Sequence, residues 1–111
     1  MDCLFCKIVA GEIPCDKVRE DEHTLAFRDI NPQAPTHVLV VPKQHVTSMW
    51  ELDDPELAGQ IFHAAASVAR EQQLERGWRM IVNTRDEGGQ EVGHLHAHVV
   101  GGRPLGRMLP G

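Results

Sequence analysis

The run Gly93-His94-Leu95-His96-Ala97-His98-Val99-Val100-Gly101-Gly102 alternates imidazole with apolar side chains through three repeats and ends in a glycine pair. Successive residues of a strand point to opposite faces, so a strand over 94–100 sets His94, His96 and His98 on one face, roughly 6.5 to 7 Å apart. Leu95, Ala97 and Val99 then enter a core on the other face. The pattern predicts a surface-facing imidazole row backed by packing. A single histidine is usually a hydrogen-bonded or solvent-facing side chain, but three at strict alternation between glycine pairs call for a shared task. Two tasks suit them: binding a metal, or attack on an electrophile by one imidazole with acid help from its neighbours.

Phosphorus chemistry favours the second. A neutral imidazole is substantially deprotonated near pH 7, so it can attack phosphorus and later depart. For Nε2 to attack, Nδ1–H must rest on an acceptor such as a backbone carbonyl. Developing negative oxygens need donors, which Gly88, Gly89 and Gln90 can supply as a nest of backbone amides, helped by charge on the flanking imidazoliums.

Working outward, Trp78 to Asn83 reads as a preceding strand and 84–91 as a glycine-containing loop. Upstream, Asp54-Pro55 is a helix start, since Asp caps free amides and Pro suits the first turn. Leu57, Ile61, Ala64, Ala65, Val68 and Ala69 then recur at helical spacing, giving one long helix to about residue 74. His37 to Val41 is a β-branched run closed by Pro42 and entered through the turn 31–35, whose prolines fix φ. Lys17 to Glu20 and His23 to Arg28 form a hairpin about Asp21-Glu22, and residues 3–10 form a short helix stopped by Gly11. Five strands joined by short turns with one long helix predict an α+β fold built on an antiparallel sheet.

The 111 residues suffice for one domain spanning 1–111. Hydrophobic residues at 41% and charged residues at 24% predict a packed globular chain rather than a disordered one. The net charge of −5, without a basic run, excludes a phosphate-tracking stripe and hence a nucleic-acid polymer as partner. No stretch reaches the roughly 20 apolar residues of a membrane span, and Asp2 stands where a secretory signal carries basic residues. A cytoplasmic location is expected. Cys3, Cys6 and Cys15 make an odd count, so the C-x-x-C reads as metal ligands or as reduced thiols rather than as a disulfide framework.

From Gly89 to Arg103 the chain resembles the signature of the histidine-triad (HIT) family, in its Hint-type nucleoside phosphoramidase branch. The resemblance extends through Phe5-x-Lys7-Ile8 with Glu12-Ile13-Pro14, through 26–37 (Ala-Phe-Arg-Asp-Ile-Asn-Pro-Gln-Ala-Pro-Thr-His), and through Gly102 to Gly106. It implies a five-stranded antiparallel sheet with one long and one short N-terminal helix, paired into a homodimer through the main helix and the strand after it. The tail from Arg103 to Gly111 would then lie near the partner's active site.

The same resemblance makes His96 the nucleophile, His94 and His98 its polar partners at the phosphate, and His37 the buried support of the relay. Asp29 matches the carboxylate that accepts both ribose hydroxyls, Phe5, Ile8, Phe27 and Ile30 match an apolar slot for a purine, and Asn83, Gly89 and Gln90 match phosphate contacts. Relatives that keep the paired cysteines hold a structural zinc on positions that correspond to Cys3, Cys6, His45 and His94. Two departures bear on the leaving group: Gly93 replaces a usual aromatic, and Glu91 a small hydroxyl residue. The implied activity is hydrolysis of purine nucleoside 5′-phosphoramidates and related acyl or aminoacyl nucleotides through a nucleotidyl-histidine, with no catalytic cofactor. Its rivals are dinucleoside polyphosphate hydrolysis and a nucleotide- or zinc-binding regulatory module with little turnover.

Overall fold

Asp54 does what its position before Pro55 predicts: its side chain accepts from the amides of Glu56 and Leu57 and starts a long helix. The computed structural model describes residues 3–109. In chain order these form α1 (Leu4–Val9), β1 (Lys17–Glu20), β2 (Thr24–Arg28), β3 (Thr36–Pro42), α2 (Pro55–Glu71), β4 (Trp78–Ile81) and β5 (Ala97–Gly101). The strands make one antiparallel sheet in the order β1-β2-β3-β5-β4, so the fold is α+β, with β5 inserted between β3 and β4.

Both faces of the sheet centre are covered, which is why β3 reads as a nearly continuous apolar run. Val38 and Val40 join Ala26, Ala97, Val99 and the α2 residues Leu57, Ile61, Ala64, Ala65 and Val68 in one core. The alternate residues Leu39 and Val41 pack with Cys3, Phe5, Leu25 and Phe27 in a second core under α1. Each large apolar side chain fully buried in this way contributes about 1.5–3 kcal/mol.

Several boundaries shift, for physical reasons. Asp21 Oδ1 accepts from the amides of His23 and Thr24, which makes His23 part of the turn and starts β2 one residue late. α2 stops at Glu71 instead of about 74 because Gln73 takes the left-handed conformation (φ 60°); Leu74 still reaches the α2 core from beyond the helix. Among the described residues no helix is long and apolar enough to cross a membrane.

Candidate active site

β5 begins at Ala97, not at His94. The ladder with β3 pairs Val40 with Ala97 and would next bring Pro42 opposite Leu95, but proline has no amide to donate. The chain ahead of Ala97 turns elsewhere: the Leu95 amide donates to the Val46 carbonyl (2.7 Å) and the His94 amide to Val92 (2.8 Å). Alternation of faces survives this break. Leu95, Ala97 and Val99 lie in the α2 core, and His94, His96 and His98 on the opposite side. The expectation of a surface-facing row is corrected, because α1 covers it: the Phe5 ring stands edge-on to His94 (5.9 Å) and His96 (5.1 Å), leaving them 0% and 7% exposed.

Backbone groups assign the tautomers. A carbonyl only accepts, so the 2.7 Å contact between His96 Nδ1 and the His94 carbonyl places the His96 proton on Nδ1 and leaves Nε2 with its lone pair. An amide only donates, so the Gln33 N–H at 3.0 Å makes His37 Nδ1 an acceptor and puts its proton on Nε2. That proton points at His98 Nδ1, 2.9 Å away, which leaves His98 with its own proton on Nε2. The His96 and His98 rings stand 5.1 Å apart, one offering a lone pair and the other a proton. Asp29 Oδ2 lies 3.4 Å from His37 Nε2.

Burial, then the neighbouring His96 and His37, push His98 down to about 4, with Asp29 opposing; burial likewise lowers His94. The expected flanking imidazoliums are thus neutral imidazoles in the free protein. The sign of the consequence for stability follows. Unfolded His98 titrates near 6.5 and folded His98 near 4, so between these values the unfolded chain binds more protons. Stability is therefore full above about pH 6.5 and declines as pH falls toward 4. Urea melts across pH 4 to 8 should show this acid limb, and His98→Gln should flatten it; an equally steep limb in the variant would refute the assignment.

The residues matched to nucleotide contacts are placed unevenly. Phe5 and Phe27 pack edge-to-face at 5.6 Å in the second core, and Ile8 packs beside them. Ile30 stands 101% exposed, in solvent next to Asp29. Asp29 Oδ1 accepts from the Asn31 amide (2.8 Å), closing the turn into β3. Asn83, just past β4, lines a cavity of about 300 Å³ with His37 and His98, and its amide has no partner among the described residues. The amide nest, by contrast, is corrected: the Gly89 and Gln90 amides donate to the Asp86 and Arg85 carbonyls, closing the turn that carries them. The Gln90 side chain braces the same loop on Thr47 O, Val92 O and the Arg85 amide. The expected carbonyl acceptor for His96 Nδ1 is that of His94, an identity the sequence could not single out, and the Gln33 amide on His37 escapes sequence reading altogether, because every residue carries such groups.

Cys3 caps α1 and Cys6 lies one turn on, so both thiols face His94 and His45. The four donor atoms lie within 4.8 Å of one another. Zinc bonds of about 2.0–2.1 Å to nitrogen and 2.3 Å to sulfur define tetrahedral edges of about 3.3 Å (N–N) and 3.6 Å (N–S). The observed edges are 3.2 Å between the two Nδ1 atoms and 3.2, 3.3 and 3.6 Å between Nδ1 and Sγ. The outer nitrogens are held too: His94 Nε2 donates to the Pro42 carbonyl (2.8 Å), and His45 Nε2 faces Thr47 Oγ1 (3.5 Å). Both ring nitrogens of His94 are thus engaged, Nδ1 toward the thiols and His45 and Nε2 with the Pro42 carbonyl. Asp29, His37 and His98 also cluster, but 2.9 Å between nitrogens is a hydrogen bond, shorter than a ligand edge.

Fold and site together define a small antiparallel α+β protein in which His96 keeps a lone pair on Nε2 and the neighbouring His98 a proton on Nε2. The profile of the HIT domain family matches residues 10–105. The chain is 43% identical over 111 residues to the purine nucleoside phosphoramidase of Escherichia coli K12, covering 97% of this chain and 93% of that one. It is 43% identical over 106 residues to a 14 kDa zinc-binding protein of Zea mays, covering 92% and 83%. A crystal structure of a HIT family hydrolase from Legionella pneumophila superposes with a TM-score of 0.92 at 47% identity, covering 95% and 96%. The chain belongs to the HIT family.

Proposed function

We propose that the chain hydrolyses purine nucleoside 5′-phosphoramidates and related acyl nucleotides through a nucleotidyl group carried on His96. That it is a nucleotide hydrolase rests on its family and on relatives such as the Escherichia coli phosphoramidase. The observation that carries the mechanism is the His96 Nδ1 contact to the His94 carbonyl, which leaves Nε2 bare beside the His98 proton.

The ribose hydroxyls rest on Asp29, whose carboxylate is an acceptor for two donors. The phosphate lies between His96, His98 and Asn83, and its charge draws one added proton onto the His37–His98 pair, which Asp29 balances. His96 Nε2 forms a bond to phosphorus as the P–N bond breaks; the amine leaves with the electron pair and takes that proton from His98 Nε2. In the second half water returns a proton to the pair, its oxygen bonds to phosphorus, and the P–Nε2 bond breaks. Mass spectrometry at short reaction times should find one nucleoside monophosphoryl group on His96. An adduct elsewhere, or turnover with no adduct at any time, would sink the reading.

Cys3, Cys6, His45 and His94 would hold one zinc ion, and the maize relative's name supports that choice of metal. Four protein ligands leave no open position, so the ion supplies a structural tie between α1 and the segment entering β5.

A homodimer completes the proposal. β4 is an edge strand with an unpaired side, and Phe62 on α2 and Trp78 on β4 are 62% and 37% exposed. Pairing β4 with a second copy would cover them. Light scattering should give twice the chain mass, and Phe62→Glu should return it to the monomer; a monomeric wild type would refute this. Arg103 and Leu105 line the cavity of their own chain, while the last two residues of the tail, 110 and 111, lie outside the described part.

A further inference from the structure

The register of the sheet sets more than the histidines on the site's face. His37 pairs with Val100 and Val100 with Arg79; one step along, Leu39 pairs with His98 and His98 with Ile81. Arg79 is therefore the diagonal cross-strand neighbour of His98 on the same face, roughly 7–8 Å away at the backbone and within reach of its own long side chain. Because α1 covers the β2–β3 half of this face and the segment entering β5, the β5–β4 half stays open as the cavity of about 300 Å³. His37, His98, Asn83, Arg79 and Arg103 all line it, with Arg79 in the cross-strand row of Val100 and His37.

These two guanidiniums differ from five other cations among the described residues and, unlike Arg70, Arg76 and Arg107, which also have no carboxylate within ion-pair distance, they line this cavity. Arg19, Arg28 and Arg85, and likewise Lys17 and Lys43, each lie beside a carboxylate. Among the described residues neither Arg79 nor Arg103 does. Arg79 donates to the Gly106 carbonyl (2.8 Å), and Arg103 to the Pro104 and Gln33 carbonyls (both 2.9 Å), contacts that fix their positions and leave their charge unmatched. In a chain of net charge −5, two fixed and unneutralised guanidiniums facing a cavity beside the proposed proton donor are a ready anion site.

We propose that Arg79 and Arg103 form a leaving-group subsite for a carboxylate, so that the favoured substrates are nucleoside phosphoramidates of amino acids joined to phosphorus through their amine. The inference rests on the phosphoramidase reading and specifies its leaving group. The nucleoside runs from His96 toward Asp29, and the amine lies toward His98, the group that protonates it. A carboxylate one or two bonds beyond that nitrogen enters the open half of the face, where Arg79 meets it. The arginines take no part in bond breaking; they bind the departing group.

The test pairs adenosine 5′-phosphoramidates of glycine and of glycinamide, which match in size and differ by one negative charge. Calorimetry on the His96→Asn protein measures binding without turnover, and kcat/KM is measured on the protein with His96 intact. The glycine compound should bind about tenfold more tightly than the amide, as a charge-assisted contact predicts. The preference should vanish with Arg79→Met, which keeps the apolar stem, and persist in part with Arg79→Lys. Arg107→Gln, an equal change of net charge on the exposed tail outside the cavity, should leave it intact. Equal binding of the two compounds, or a preference that survives Arg79→Met, would overturn the subsite. A binding preference without turnover of either compound would support the subsite and sink the phosphoramidase reading instead.

Discussion

His96→Ala should lower kcat/KM for an adenosine phosphoramidate by roughly 10⁴-fold or more, the scale seen when a covalent nucleophile is removed, while nucleotide binding persists. The variant removes the only ring whose free nitrogen faces the proposed phosphate, and no adduct should form. A structural explanation of the loss is separable, because His96→Asn retains an amide N–H within reach of the His94 carbonyl and should lose activity equally. His98→Ala should behave differently. With an alkylamine leaving group, loss of the proton donor should cost about 10²–10⁴-fold, but a leaving group that departs without a proton should narrow the deficit. Adduct formation should then be visible in His98→Ala and absent in His96→Ala. Comparable activity of His96→Ala and the native protein would refute nucleophilic catalysis by this ring, and equal deficits of His98→Ala toward both leaving groups would refute proton donation by His98.

What made this site legible in the sequence was periodicity, and what concealed the rest was long-range contact. The alternation over 94–100 correctly sorts Leu95, Ala97 and Val99 from the three histidines, because facing depends on local geometry even where the ladder lapses. It does not disclose that the ladder lapses at Pro42, nor that α1 folds over the row, since both depend on elements 50 to 90 residues away in the chain. The glycine-rich loop illustrates the opposite error. Its composition suggests free amides, yet a loop of its own residues closes on Asp86 and Arg85 first. Gly88 has a different reason to be glycine: a Cβ there would collide with the Thr84 carbonyl oxygen. Charges mislead likewise until positions are known. The flanking His94 and His98 read as cationic in sequence, whereas burial lowers the pKa of both, and the significance of Arg79 emerges only from register.

The cysteine-histidine cluster leads to the other large effect. Cys3→Ser should reduce bound zinc from about one ion per chain to well below one, and lower the melting temperature by about 8 °C or more. That magnitude follows if the ion contributes about 2–4 kcal/mol by preferential binding to the folded chain and each kcal/mol shifts the midpoint by about 4–8 °C in a small domain. A strong chelator should impose the same shift on the native protein and none on the variant, and added zinc should restore only the former. Activity should fall in parallel although the ion has no open position for substrate, because the residue whose Nδ1 reaches the thiols is also the residue whose carbonyl holds the His96 proton. Releasing His94 frees the His96 ring to rotate or change tautomer, so the loss should appear mainly in kcat, with KM little changed. Native protein purified without chelator and found to carry no zinc, or a Cys3→Ser protein that retains it, would remove the ion from this account. The tautomer of His96 would then depend on the 2.8 Å bond from His94 Nε2 to the Pro42 carbonyl alone.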